Sequence, residues 1–139
     1  MKVAVIYAST TGNTEAMAKA VSDSVKAAGA EVIFATADSA KKDEVLGCDV
    51  LLLGSPAMGA EVLEDSMEEF FSGIEGSLSG KKVAVFGSYD WGDGQWIRDW
   101  TDRISTAGAV SAAEPLAVNL TPSDDDIAKC KAWAASAIK

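Results

Sequence analysis

Val3-Ala4-Val5-Ile6-Tyr7-Ala8-Ser9-Thr10-Thr11-Gly12-Asn13-Thr14 passes from an unbroken apolar run into six small polar residues. An apolar run without polar alternation is the pattern of a strand buried on both faces of a parallel sheet. From Thr14 the spacing turns helical, with Met17, Val21, Val25 and Ala28 about one turn apart and Gly29 where a helix C-cap would sit. Ser9 to Thr14 therefore forms the joint between strand and helix. Backbone N–H groups at a helix start lack intrahelical partners, so a loop of glycine and hydroxyl residues at that point can wrap an anion. The same residues can also cap the helix and bind nothing. The loop holds no Lys or Arg, and both the GxxxxGK[ST] lysine and the GxGxxG spacing are missing. Neutral donors of this kind suit a terminal monophosphate better than a triphosphate that needs Mg²⁺ and a lysine.

The same alternation continues along the chain. Val32-Ile33-Phe34 reads as a second strand, Ala40 to Leu46 as a short helix, and Asp49 to Gly54 as a third, buried strand. A loop opens at Ser55-Pro56. Met67, Phe70, Phe71 and Ile74 then mark one apolar helix face packed on the sheet. Val83 to Gly87 is a fourth strand running into the loop Ser88 to Gly94, and Trp96, Ile97, Trp100 and Ile104 form the apolar side of the next helix. Val110 to Ala113 and Pro115 to Val118 read as a fifth strand, interrupted near the proline and therefore at an edge. Thr121-Pro122-Ser123 before Asp124-Asp125-Asp126 has the hydroxyl cap and acidic first turn of a last helix, whose buried side is Ile127, Cys130, Ala134 and Ile138. Helix capping accounts for this acidic triplet with fewer assumptions than a metal site does.

Strands alternating with helices predict an α/β fold with a parallel sheet, right-handed crossovers and helices on both faces. The loops starting at Ser9, Ser55 and Ser88 follow the first, third and fourth strands, so all three open on one sheet edge. Ligands of such sheets bind beyond the strand carboxyl ends.

Bulk properties narrow the partners. The 139 residues are 48% apolar and 24% charged, as expected of a single globular domain spanning residues 1–139. A net charge of -9 repels nucleic acid and anionic lipid and favours basic proteins. The strand pattern begins directly at Val3, and no run approaches the roughly 20 apolar residues of a bilayer span, so a cytoplasmic location is expected. Cys48 and Cys130 belong to no CxxC pattern and are expected as reduced, packed thiols. The chain has no histidine, which removes the commonest general base and metal ligand; no metal site and no catalytic residue is expected.

Tyr89 and Trp91 lie in a glycine-flanked loop, where an exposed indole is costly unless it covers something. A flat aromatic ligand would justify it, as would Trp91 folding back on its own domain. Met58, in the opposing loop, is a polarisable side chain suited to a ring face.

Ser9 to Thr14, taken with Gly54-Ser55-Pro56-Ala57-Met58-Gly59-Ala60-Glu61 and Gly87-Ser88-Tyr89-Asp90-Trp91-Gly92-Asp93-Gly94, resembles the short-chain flavodoxins of anaerobic bacteria over essentially the whole chain. The resemblance implies a flavodoxin-like three-layer sandwich, with a five-stranded parallel sheet of order 2-1-3-4-5 and FMN at its switch point. It implies that Ser9, Thr11, Asn13 and Thr14, with N–H groups including those of Thr10 and Gly12, hold the FMN phosphate. Ser88 would approach the phosphate or ribityl side, and Trp91 and Met58 would sandwich the isoalloxazine. Glu61 would accept a hydrogen bond from flavin N3–H, and the backbone at Trp91 and Gly92 would meet the pyrimidine oxygens. Gly59-Ala60 would be the peptide that turns its carbonyl toward N5–H when the semiquinone forms. Pro56, Ala57, Tyr89 and Asp90 complete the implied contact set.

The implied function is a monomeric, low-potential one-electron carrier working through the semiquinone/hydroquinone couple. Its partners would be reductases and ferredoxin-linked enzymes with basic surfaces. Glu61, Glu64, Asp65, Asp90 and Asp93 crowd the expected rim, where they would oppose a second electron and steer basic partners, the alternative being an ordinary solvated surface. A small FMN-dependent NAD(P)H:quinone reductase is the alternative, although the cover by Trp91 and Met58 leaves little room for nicotinamide. A phosphoryl-accepting receiver would need acidic residues after the first strand, where Ala8-Ser9-Thr10 stand.

Overall fold

In the computed structural model, which describes residues 1–59 and 61–139, the opening apolar run is strand β1 (Lys2–Tyr7) at the middle of the sheet. It pairs in parallel with β2 (Glu31–Thr36) on one side and with β3 (Val50–Gly54) on the other. Outside β3 the sheet continues in parallel with β6 (Lys82–Tyr89), and both β7 (Val110–Ser111) and β8 (Leu116–Asn119) pair with β6. β4 (Ala57–Met58) and β5 (Val62–Leu63) form a separate antiparallel pair outside this sheet. With β7 and β8 sharing the fifth position, the order is the 2-1-3-4-5 that the resemblance implies. The break falls around Pro115, which has no N–H to give to a ladder.

Side-chain alternation explains why these strands are apolar throughout. Ala4, Ile6, Leu51, Leu53, Val83 and Val85 face one core, which is completed by Val45 of α2 (Lys42–Leu46), Phe71 of α3 (Asp65–Ile74) and Trp100 of α4 (Gln95–Thr106). Val3, Val5, Leu52, Ala84 and Phe86 face the other, against α1 (Asn13–Ala27) and α5 (Asp124–Ala137). A strand with a packed core on each face has no polar side to show. The three layers place α1 and α5 on one face and α2, α3 and α4 on the other. β2 and β3 flank β1 on opposite sides, so the connections leaving β1 and β3 diverge and open a crevice at their carboxyl ends.

Several local boundaries differ from the sequence reading: the third strand starts at Val50 rather than Asp49, and the two pieces of the fifth are Val110–Ser111 and Leu116–Asn119 rather than Val110 to Ala113 and Pro115 to Val118. The fourth strand extends to Tyr89, because Ser88 and Tyr89 pair with Val118 and Asn119 of β8, so the loop proper is Asp90 to Gly94. The second strand runs from Glu31 to Thr36 rather than over three residues. The short helix starts at Lys42 rather than Ala40, whose N–H closes a turn onto Thr36 O at 2.9 Å. The last helix begins as expected: Ser123 Oγ accepts the Asp126 N–H at 3.2 Å and the Asp126 carboxylate accepts the Ser123 N–H at 3.0 Å, a reciprocal capping box. No helix among the described residues is long and apolar enough to cross a membrane.

Candidate functional site

The described residues among those singled out in the sequence gather at the carboxyl edge of β1, β3 and β6. In the first loop Ser9 is half-buried, Thr10, Thr11 and Gly12 are exposed, Asn13 is half-buried and Thr14 is buried. Gly12 is the N-cap residue of α1 with φ 91°, a left-handed conformation that admits glycine far more readily than a branched side chain. Ser9 Oγ accepts the N–H groups of Gly12 at 3.1 Å and Glu15 at 3.3 Å, so capping satisfies part of the loop. The N–H groups of Thr10, Thr11, Asn13 and Thr14 have no acceptor among the described residues. One serine thus caps the helix, and four neighbouring N–H groups have no acceptor among the described residues.

Thr14 Oγ1 lies 2.7 Å from Ser88 Oγ, with both residues buried. Two hydroxyls sharing one hydrogen bond leave one O–H still able to donate. This pair fastens the first loop to the end of β6. The Ala8 N–H to Gly54 O bond of 2.9 Å and the Ser55 N–H to Phe86 O bond of 3.1 Å hold the starts of the three loops side by side.

In the second loop Pro56 is buried, Ala57 and Met58 are half-buried in β4, and Gly59 is exposed. Ala60 lies outside the described residues, and with it the expected behaviour of the Gly59-Ala60 peptide. Met58 O accepts the Glu61 N–H at 2.7 Å, and Glu61 takes a left-handed φ of 52°. Its carboxylate reaches the third loop, where Oε1 accepts the Gln95 N–H at 3.1 Å at the start of α4. Anionic charge is favoured at such a helix end.

In the third segment Ser88 is buried and Tyr89 half-buried within β6, and Asp90, Trp91 and Gly92 are exposed. Trp91 is 64% exposed. Trp96, Trp100 and Trp133 each pack against an aromatic ring, whereas Trp91 has no ring partner among the described residues. The alternative of Trp91 folding back on its own domain is not what the structure shows.

The rim carboxylates are partly engaged. Glu64 accepts the Ser66 N–H at 3.0 Å as the cap of α3, Asp93 pairs with Arg98 at 3.0 Å, and Glu61 holds Gln95. Asp65 and Asp90 are exposed. The two thiols are buried, and burial pushes Cys130 up to about 11 and Cys48 upward as well. Such thiols are packing groups rather than nucleophiles.

Several residues that hold the loops were not singled out from the sequence. Ser55 is buried and its Oγ accepts the Glu64 N–H at 3.0 Å, while the Trp96 indole donates to Ser55 O at 3.2 Å. Asn119, at the end of β8, donates to the carbonyls of Tyr89 and Asp90. An amide at the end of an edge strand was the only signal of it in the sequence.

This donor set fits a phosphate and a flat ring. Unspent backbone N–H groups and a spare hydroxyl suit an anion, and an uncovered indole on the same edge suits an aromatic plane. The flavodoxin family model matches residues 5–133. The flavodoxin of Megasphaera elsdenii is 45% identical over 138 residues, covering 99% of this chain and 98% of that protein. The flavodoxin of Clostridium beijerinckii is 44% identical over 121 residues, covering 86% of this chain and 88% of that one. The solution structure of two-electron reduced Megasphaera elsdenii flavodoxin superposes with a TM-score of 0.87 at 44% identity, over 99% of this chain and 98% of that chain. With a family model matched over residues 5–133 and near end-to-end similarity in sequence and structure, the chain belongs to the flavodoxin family.

Proposed function

We propose that this chain is a low-potential, one-electron carrier whose first loop holds the phosphate of FMN and whose second and third loops enclose the ring. Family membership makes it a small FMN-binding electron-transfer protein rather than an enzyme. The observation that carries the finer reading is the shared edge: four unspent N–H groups at the start of α1 and the uncovered Trp91 flank the buried Thr14–Ser88 pair.

The residues divide the work. Thr10, Thr11, Asn13 and Thr14 offer N–H donors to the phosphate, and the spare hydroxyl proton of the Thr14–Ser88 pair donates beside them. Because no cation sits in this loop, the phosphate is held by dipoles and hydrogen bonds that change little with ionic strength. Trp91 and Met58 exclude water from the two ring faces. Glu61 keeps one carboxylate oxygen on Gln95 N–H and offers remaining acceptor positions to the flavin N3 proton. When bound, FMN supplies a ring that takes up and returns electrons singly. Apolar faces and nearby carboxylates disfavour added negative charge, which lowers the potential of the last electron. The exposed Asp65 and Asp90, with the net charge of -9, favour partners with basic surfaces. The carrier is read as a cytoplasmic monomer of one domain over residues 1–139.

The test is a stepwise anaerobic reduction of the protein loaded with FMN, followed by absorbance. Two separate one-electron phases are expected, with the second at a markedly lower potential than the first. Direct conversion to fully reduced FMN in one two-electron phase would overturn the one-electron reading. Equilibrium gel filtration and an FMN titration give mass and stoichiometry, with one FMN per monomer expected.

A further inference from the structure

Asp90 to Gly94 carries Trp91 and includes two left-handed glycines, Gly92 at φ 92° and Gly94 at φ 91°. Contacts from outside the loop must therefore fix its course. Two of them fasten the far end: Arg98 donates to Asp93 O at 2.8 Å and to Asp93 Oδ1 at 3.0 Å, and Glu61 accepts from Gln95 N–H at 3.1 Å. The near end is fastened from β8. Asn119 Nδ2 donates to Tyr89 O at 3.1 Å and to Asp90 O at 3.3 Å, and the Leu120 N–H donates to Tyr89 O at 2.7 Å. One primary amide has two N–H groups, enough to serve both carbonyls that immediately precede Trp91.

Leu120 extends this clamp by one residue. It is 52% exposed and sits at φ 62°, a conformation that branched and bulky residues seldom adopt. Burial does not account for its position. Its N–H is engaged with Tyr89 O beside the Asn119 amide.

We propose that Asn119, backed by the Leu120 N–H, is a positioning residue for the flavin: by fixing the Tyr89 and Asp90 carbonyls it sets the plane of the Trp91 indole against the ring. This rests on Trp91 being the stacking face. The Asn119 amide is engaged with the Tyr89 and Asp90 carbonyls, so its effect is exerted through the loop.

The experiment compares wild-type, Asn119→Ala, Asn119→Asp and Trp91→Ala, as apoprotein and with FMN. Asn119→Ala removes both donors at an exposed site, so its Tm should stay within about 4 °C of wild-type. Amide exchange at residues 91–94 of the apoprotein should accelerate, and the dissociation constant for FMN should rise about fivefold, the loss expected of roughly one net hydrogen bond. Asn119→Asp keeps the side-chain shape but turns an acceptor toward two carbonyls, so it should match or exceed that effect. Unchanged exchange at residues 91–94 in both Asn119 variants overturns the clamp. Faster exchange with unchanged FMN affinity, while Trp91→Ala binds weakly, overturns the positioning role and leaves the stacking reading standing. Unchanged affinity in Asn119→Ala and Trp91→Ala alike overturns the stacking reading and the positioning role together.

Discussion

Thr14 Oγ1 and Ser88 Oγ meet at 2.7 Å inside the protein, across 74 residues of sequence. Thr14 lies in the first turn of α1 and Ser88 near the end of β6, so this bond joins the first loop to the foot of the Trp91 loop. Thr14→Val keeps the shape and strips the hydroxyl, which leaves Ser88 without its partner in a buried place. A loss of about 1–3 kcal/mol in urea unfolding is expected, together with weaker FMN binding, while Thr14→Ser retains most of both.

Trp91→Ala separates stability from binding. Because the indole is 64% exposed, unfolding of the apoprotein should change by less than about 0.5 kcal/mol. FMN titration should show a loss of affinity, and potentiometry a less negative potential for the second electron, since water gains access to one ring face. Equal affinity and potential would show that the indole does not stack on the flavin.

Glu61→Gln removes a charge while preserving an oxygen acceptor for the Gln95 N–H. The helix-end contribution falls by about 0.5 kcal/mol. FMN affinity should fall about tenfold if a charge-assisted hydrogen bond becomes a neutral one. The potential of the second electron should become less negative, because one opposing charge is gone. Calorimetry and potentiometry of the same sample check both.

Arg103 ties α4 to α3 by donating to both oxygens of Glu68, at 2.7 and 2.9 Å, and by pairing with Glu75 at 3.0 Å. The hydrogen bonds from Arg103 are the main cause holding the Glu68 carboxyl below its ordinary 4.5. A carboxyl depressed by folding binds its proton more readily when unfolded. Its contribution is therefore present above the ordinary value and is lost as pH falls through the folded one. Arg103→Met preserves an apolar stem near Phe71 and should cost about 1 kcal/mol at pH 7, given the partial exposure of the pair. Urea unfolding repeated at about pH 3 should show a smaller gap between variant and wild-type. A gap of equal size at both pH values would contradict the assignment.

The two faces of the sheet were legible because period-2 alternation in unbroken apolar strands leaves both faces needing cover, and helical stripes such as Met67, Phe70, Phe71 and Ile74 supply it. The β4–β5 pair was not legible, since two-residue strands carry too few residues to show a period. The end of β6 was misplaced for a related reason. Ser88 and Tyr89 read as polar loop residues, and only pairing with Val118 and Asn119 makes them strand.

The sequence by itself determined the strand–loop–helix order, the run of small polar residues from Ser9 to Thr14 at the first strand–helix joint and the presence of an indole in a glycine-rich loop, because these depend on neighbours along the chain. Tertiary structure alone decided which of those parts touch. Thr14 to Ser88, Glu61 to Gln95 and Asn119 to Tyr89 span 74, 34 and 30 residues. Hydrogen bonds of about 3 Å require relative placement to within tenths of an ångström. That placement comes from sheet order and register, which no local periodicity encodes. The close approach of Gly87 to Ser55 has the same origin: a Cβ at Gly87 would fall 2.0 Å from the Ser55 carbonyl oxygen, a constraint visible only once β3 and β6 lie side by side.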